Sequence, residues 1–241
     1  HRALRGRGRL LLGPVVRLDD VGVHGLVVPA REGELLGLAV AMQKAGYRVV
    51  LFDFRGHGES EGSRSGLGVA EKGDVLGALA FVANRGGRQA ALFGVGMGAH
   101  ASVLAGVERP EVRVLILDGL VPDATFLLER KVFRGWEFGA RHLGFAARAV
   151  YGGLNRSSAS RERAEAKLPL LRDRSVLLLG SATDAVLAAR LESMVETIPV
   201  TGDHDGNLVL LPATVGGRLY GEDADRYRAR VVDFLTERLP R

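Results

Sequence analysis

The sequence predicts an α/β fold, a doubly wound and mostly parallel sheet in one domain spanning residues 1–241. Three observations carry this. Short apolar runs that suit strands buried on both faces alternate with helix-like stretches. A glycine-rich corner, Gly94-Val95-Gly96-Met97-Gly98, joins one such run to one such stretch. A chain of 241 residues with 46% apolar and 25% charged side chains has the size and composition of one globular domain.

The elements follow in order. Arg2, Arg5, Arg7 and Arg9 make a basic terminus, read either as solvated, frayed chain or as a contact for phosphate or lipid headgroups. The chain opens on His1 rather than Met, so a membrane anchor is expected only in a preceding segment. Glu34 to Ala45 reads as a helix, and Arg48 to Phe54 (RVVLFDF), after the breaker Gly46, as a buried strand. Val69 to Asn84 is helical, Gln89 to Val95 a strand, Met97 to Val107 a helix and Val112 to Asp118 a strand. Residues 121–170 break the alternation: they are helical, Arg-rich and aromatic (Phe126, Phe133, Trp136, Phe138, Phe145, Tyr151) and read as a cap inserted between two halves of one sheet. Ser175 to Leu179 resumes the sheet. Asp223 to Leu239 closes the chain as a helix, with Tyr227, Val231, Phe234 and Leu235 on one core-facing stripe.

Composition excludes several classes of function. With no cysteine, disulfides, thiolate catalysis and iron–sulfur clusters are ruled out, and the compartment stays open. No apolar run reaches the roughly 18–20 residues of a membrane span. The net charge is +5, but only four basic residues are lysine (Lys44, Lys72, Lys131, Lys167) and bases alternate with acids, as in Arg161-Glu162-Arg163. No basic patch is interleaved with aromatics, so no nucleic-acid partner is expected.

The Gly94 corner admits three readings. Gly94-x-Gly96-x-x-Ala99 matches a dinucleotide-binding turn, and Asp118, ending the next strand, sits where a ribose-binding acid would. The same corner has the flanking glycines of the nucleophile elbow G-x-S-x-G, in Gly94 and Gly98, with Gly96 at the apex. The third reading is packing alone, glycines letting a helix lie close against a sheet.

The rest of the chain bears on this choice. Gly46-Tyr47-Arg48-Val49-Val50-Leu51-Phe52-Asp53-Phe54-Arg55-Gly56-His57-Gly58-Glu59-Ser60-Glu61-Gly62 resembles the strand-and-loop signature of the α/β-hydrolases, closest to the serine-aminopeptidase, monoacylglycerol-lipase and esterase-like branch. The resemblance extends over about residues 19–239, weakest in the cap and at the N-terminus. It implies an α/β-hydrolase fold with a small helical cap, a small acyl ester or amide as ligand, no cofactor and no metal. It places Gly96 at the nucleophile position, Asp184 as the acid and His204 as the base, in the chain order of that family. Met97, the residue after the apex, supplies one oxyanion N–H. Asp184 also reads as a helix N-cap ahead of Ala185 to Met194, and His204, between Asp203 and Asp205, as a surface turn or weak metal ligand. The other histidines form no ligand-spaced pair, and His57 reads as structural.

Two departures concern catalysis. Gly96 has no side chain, so the acyl-serine route lacks its nucleophile and an inactive or weak enzyme is expected; neither Ser60 nor Ser102 is placed to substitute. A water at the apex activated by His204 is the route left open. The second departure lies in Asp19 to Ala30 (DDVGVHGLVVPA). Either this is an early hairpin strand and the central strand that should end in His-Gly is absent, or His24-Gly25 is that His-Gly and Gly25 serves the oxyanion hole, with earlier strands compressed into Arg9 to Leu18. Losing a central strand would strand backbone groups on both neighbours. Beside the hydrolase reading stand a non-catalytic acyl-binding or interaction protein and, third, dinucleotide binding at Gly94 to Ala99.

Overall fold

A computed structural model describes residues 10–11, 24–29, 33–58, 60–62, 65–123, 126, 162–199, 208–212 and 222–239. The basic run Arg2 to Arg9, His204 and most of the 121–170 segment lie outside the described residues. Chain order runs β1 (Leu10–Leu11), β2 (His24–Pro29), α1 (Gly33–Lys44), β3 (Arg48–Phe52), α2 (Lys72–Ala83), β4 (Gln89–Val95), α3 (Met97–Glu108) and β5 (Val112–Asp118). It continues with α4 (Ala164–Lys167), a 3-10 turn (Leu168–Leu170), β6 (Ser175–Ser181), α5 (Ala185–Val195), β7 (Leu208–Leu211) and α6 (Glu222–Arg238).

The strands form one sheet in the order β1-β3-β2-β4-β5-β6-β7. Every pairing is parallel except that of β1 with β3. Alternation along the strands sends side chains to two cores. Leu92, Leu115, Leu117, Val176 and Leu178 meet α2, α3 and α5 on one face, while Phe93, Val114, Ile116, Leu177 and Leu179 meet α1 and α6 on the other. Both faces being covered explains why these strands read as continuous apolar runs rather than alternating ones. Tyr227, Val231, Phe234 and Leu235 are all buried, making the stripe that seats α6. The Tyr47 hydroxyl donates to the Leu239 carbonyl at 3.0 Å, an acceptor that the helix C-terminus leaves open, and reaches the Leu235 carbonyl at 3.2 Å, which also accepts the Leu239 N–H.

The amino-terminal third corrects the first reading of Asp19 to Ala30. A central strand is present: β2 lies between β3 and β4, parallel to both. An earlier strand, β1, falls inside Arg9 to Leu18 as the second reading requires. His24-Gly25, however, opens β2 instead of ending it.

The Arg55-Gly56-His57-Gly58 loop is built on internal contacts. Arg55 grips the Asp74 carboxylate of α2 through Nε (2.9 Å) and Nη2 (2.8 Å), and its backbone N–H reaches the same group at 3.2 Å. His57 Nδ1 bonds the Arg55 carbonyl (3.0 Å), and the Ser60 hydroxyl donates to the Asp53 carbonyl (2.8 Å). A Cβ on Gly58, at φ 55°, would overlap the Asp53 carboxylate, so this turn admits only glycine.

Candidate active site

The carboxyl ends of β3 to β6 face one edge of the sheet, where ligands of parallel sheets bind. The sharpest feature on that edge is the β4–α3 corner. Gly96 has φ 53° and ψ −108°, outside the regions that L-residues populate readily. A Cβ on Gly94 would lie 2.5 Å from the backbone of Gly98, so strand and helix approach each other across glycine only. A Cβ on Gly96 would meet nothing within 4 Å. The corner is thus tight at its base and open at its apex. Gly96 donates its N–H to the Asp118 carbonyl (2.8 Å) and accepts the His100 N–H (3.1 Å), which begins the α3 ladder. No side chain caps α3, and its first turn holds no acid.

Asp184 follows β6 at the same edge and caps α5: its Oδ1 accepts the Leu187 N–H at 3.1 Å. Gly119, between the two corners, donates to the Leu179 carbonyl (2.8 Å), and a Cβ there would come within 3.9 Å of Leu187. The first turn of α5 therefore overhangs the residue next to Asp118, one strand away from Gly96. The capping role and the edge position expected of Asp184 coexist. His204, expected as the base, precedes β7 in sequence and lies outside the described residues.

Gly25 is a correction. It pairs with Ala90 of β4 and Arg48 of β3, at the amino edge of the sheet. Six residues of β4 separate that level from Gly96, about 20 Å at the rise of a strand. Gly25 does not share a site with Gly96 because β2 runs parallel to β4 and begins, rather than ends, at His24-Gly25.

Asp118, the acid that the dinucleotide reading assigns to a ribose, is fully buried and accepts the Tyr227 hydroxyl of α6 at 2.9 Å. Burial first, and the adjoining Asp118 charge second, push the Tyr227 phenol well above its ordinary range. Ser60 and Ser102 are buried, and the Ser60 hydroxyl donates to the Asp53 carbonyl.

Sequence reading did not single out His100, one turn into α3 and fully buried. Its Nε2 bonds the Glu162 carbonyl at 2.9 Å, while Nδ1 has no hydrogen-bond partner among the described residues. Burial holds this imidazole below its ordinary pKa. Glu162 carries a second tether, to Lys72 Nζ at 3.6 Å. Beside it, the Glu165 N–H donates to the Pro122 carbonyl (3.2 Å) and Arg163 pairs with Asp123 (3.5 Å). The residues that flank the interrupted segment are thus fastened to each other and to α3.

Comparison with known proteins agrees with this architecture. The family described as "Serine aminopeptidase, S33" matches residues 21–168. No curated protein matches the chain in sequence. Among solved structures, Est1E from Butyrivibrio proteoclasticus, with ferulic acid bound, superposes with a TM-score of 0.67 at 15% identity, covering 91% of this chain and 90% of that one. An enol-lactonase from Burkholderia xenovorans LB400 gives 0.62 at 19% identity, over 97% and 98% of the two chains. A monoacylglycerol lipase from Paleococcus ferrophilus gives 0.57 at 16%, over 89% and 94%. At such identities these likenesses speak to the fold. The family match spans well over half of the 241 residues and, with the parallel sheet and its sharp β4–α3 corner, decides the assignment: the chain belongs to the S33 serine aminopeptidase family of the α/β-hydrolase superfamily.

Proposed function

We propose that this chain keeps the framework of an acyl-transferring serine hydrolase but lacks its nucleophile, so that it is an impaired or inactive hydrolase. In this reading Gly96 occupies the nucleophile position, Asp184 is the acid, His204 the base and the Met97 N–H an oxyanion donor. The observation that carries it is the apex itself: φ 53° and ψ −108° at Gly96, with open space where a side chain would project. A strained strand-to-helix turn is how this superfamily exposes its serine. Residues 1–241 then form one domain, with about 121–170 as its cap.

The chemistry follows from the roles. In the complete reaction a serine oxygen attacks the acyl carbon, the imidazole takes its proton and returns it to the leaving group, and the acid fixes the imidazole tautomer. The oxyanion settles on backbone N–H groups. A glycine apex offers no oxygen to attack and nothing to acylate. Oxyanion and binding contacts alone supply on the order of 10³–10⁴ over water. Small acyl esters or amides are the ligand class, in keeping with Est1E binding ferulic acid and DcsB binding a substrate analogue. Gly96 equally favours a second reading, a non-catalytic protein that binds such a ligand or a partner. Asp118 is held by Tyr227, which weighs against a dinucleotide.

The test pairs the chain with Gly96→Ser, assayed on short p-nitrophenyl esters and with a fluorophosphonate probe. Turnover and labelling only in the variant support an intact relay awaiting its nucleophile. Saturable binding without turnover in both supports the binding protein. Ester hydrolysis by the unmodified chain, without labelling, would overturn the reading of Gly96.

A further inference from the structure

We propose that Glu71 is a positioning residue for the Met97 amide, acting through the loop Ser65–Gly68. The inference rests on the reading of Met97 as an oxyanion donor given above. Glu71 is fully buried. Its Oε1 accepts the Gly66 N–H (2.7 Å) and the Ser65 hydroxyl (3.1 Å), and its Oε2 accepts the Gly68 N–H (2.8 Å). Three donors on one carboxylate offset the cost of burying it and fix its geometry.

The loop so held is strained and has little slack. Leu67, with φ 51°, is the one non-glycine residue of positive φ among the described residues. Such conformations persist where the surroundings over-determine them. On either side of it, Gly66 and Gly68 fit where no Cβ would: one on Gly66 would lie 2.4 Å from the Ala70 Cβ, and one on Gly68 2.9 Å from the His100 Cβ.

The loop's other face touches the first turn of α3. Ser65 Oγ lies 3.1 Å from Met97 Sδ. A Cβ on Gly68, at φ 105°, would lie 3.1 Å from the Met97 carbonyl. Both the side chain and the backbone of Met97 thus rest on a loop whose shape Glu71 dictates. An oxyanion donor works only when aimed within a few tenths of an ångström of the developing charge. No side chain caps α3, so this loop is the side-chain-built support that the first turn has on that face.

The chain has three methionines, and Met42 of α1 and Met194 of α5 are buried in the two cores, outside this loop and its contacts. A methyl-labelled methionine spectrum therefore reads Met97 against two internal controls. In the unmodified background, Glu71→Gln and Ser65→Ala should each move the Met97 methyl signal and leave those of Met42 and Met194 in place. If Glu71→Gln does not fold, Glu71→Asp, which keeps the charge but shortens the reach to the Gly66 and Gly68 amides, gives the same reading, since Ser65→Ala reports only the direct contact with Met97. An unmoved Met97 signal in the folded variants overturns the clamp. In the Gly96→Ser background, Glu71→Gln should lower kcat about tenfold with KM within about twofold, the pattern of an interaction made in the transition state. An unchanged kcat overturns the positioning role. Should Gly96→Ser neither label nor turn over, the functional reading falls, and the methyl spectra alone decide whether Glu71 holds Met97.

Discussion

The backbone N–H of Gly96 donates to the Asp118 carbonyl at 2.8 Å, so the apex of the β4–α3 corner hangs from the end of the neighbouring strand. The apex conformation is therefore imposed from outside the turn, and a side chain there must accept it. Gly96→Ala should cost about 1–2 kcal/mol, the strain of a left-handed backbone with no steric clash. Gly94→Ala, whose Cβ would press on the Gly98 backbone at 2.5 Å, should cost more, about 3 kcal/mol. Urea unfolding midpoints of the two variants, compared at equal slope, check the order.

Tyr227→Phe should lose about 1–3 kcal/mol, because Asp118 stays buried without that donor. The variant should also change the alkaline limb of the stability profile. A phenol with a raised folded pKa contributes stability that is fully present below its unfolded value of about 10 and is lost as pH rises toward the folded value. Wild type should therefore lose stability above about pH 10 more steeply than Tyr227→Phe. Denaturation midpoints across pH 9 to roughly 11 measure the difference.

His100 gives an acid-side prediction of opposite sense. Burial lowers its folded pKa, so its contribution is complete above the unfolded value of 6.5 and falls away as pH drops toward the folded value. The groups bearing on it are Asp123 and Glu162 at the stems and Glu71 below, all favouring the charged form but outweighed by burial. His100→Gln, which can still donate to the Glu162 carbonyl, should flatten the stability profile below pH 6.5. Thermal midpoints of the two proteins at a few pH values on either side of 6.5 decide it.

The Arg55–Asp74 pair should be intolerant of charge-conserving change. The two side chains are 18% and 6% exposed, and the guanidinium meets the carboxylate with two parallel bonds. Lysine cannot form that fork. Arg55→Lys should cost about 1–2 kcal/mol in urea unfolding. The control is Arg113→Lys at the exposed position of β5, which should cost under about 0.5 kcal/mol.

Much of this fold is legible in the sequence where one local signal suffices. β4 and β5 match their expected bounds to the residue, because both are apolar runs closed by a turn signal, and β6 overruns Leu179 by two residues. α2 starts at Lys72 rather than Val69 because Glu71 draws the preceding amides of Gly66 and Gly68 into its own loop. That clamp is a contact between sequence neighbours whose purpose shows only once α3 lies against it. β2 is harder: its place between β3 and β4 depends on pairing across the sheet, which six residues of apolar sequence do not specify. β7 has only four residues, too short a run to stand out even between Gly206-Asn207 and Pro212. At the sheet edge, the strand-to-helix corner at Gly96 and the N-cap at Asp184 were legible locally, whereas the burial of Asp118 by Tyr227 joins residues 109 positions apart and leaves no local trace.

The close crossing at Gly94 and Gly98 carries one more implication. The crowding lies at that crossing and not at the apex, where a Cβ would meet nothing within 4 Å. Space does not limit the residue at position 96: cysteine or aspartate could be installed there about as readily as serine, whereas β-branched threonine would meet added strain at φ 53°, which allows a side-by-side comparison of nucleophiles on an otherwise constant frame.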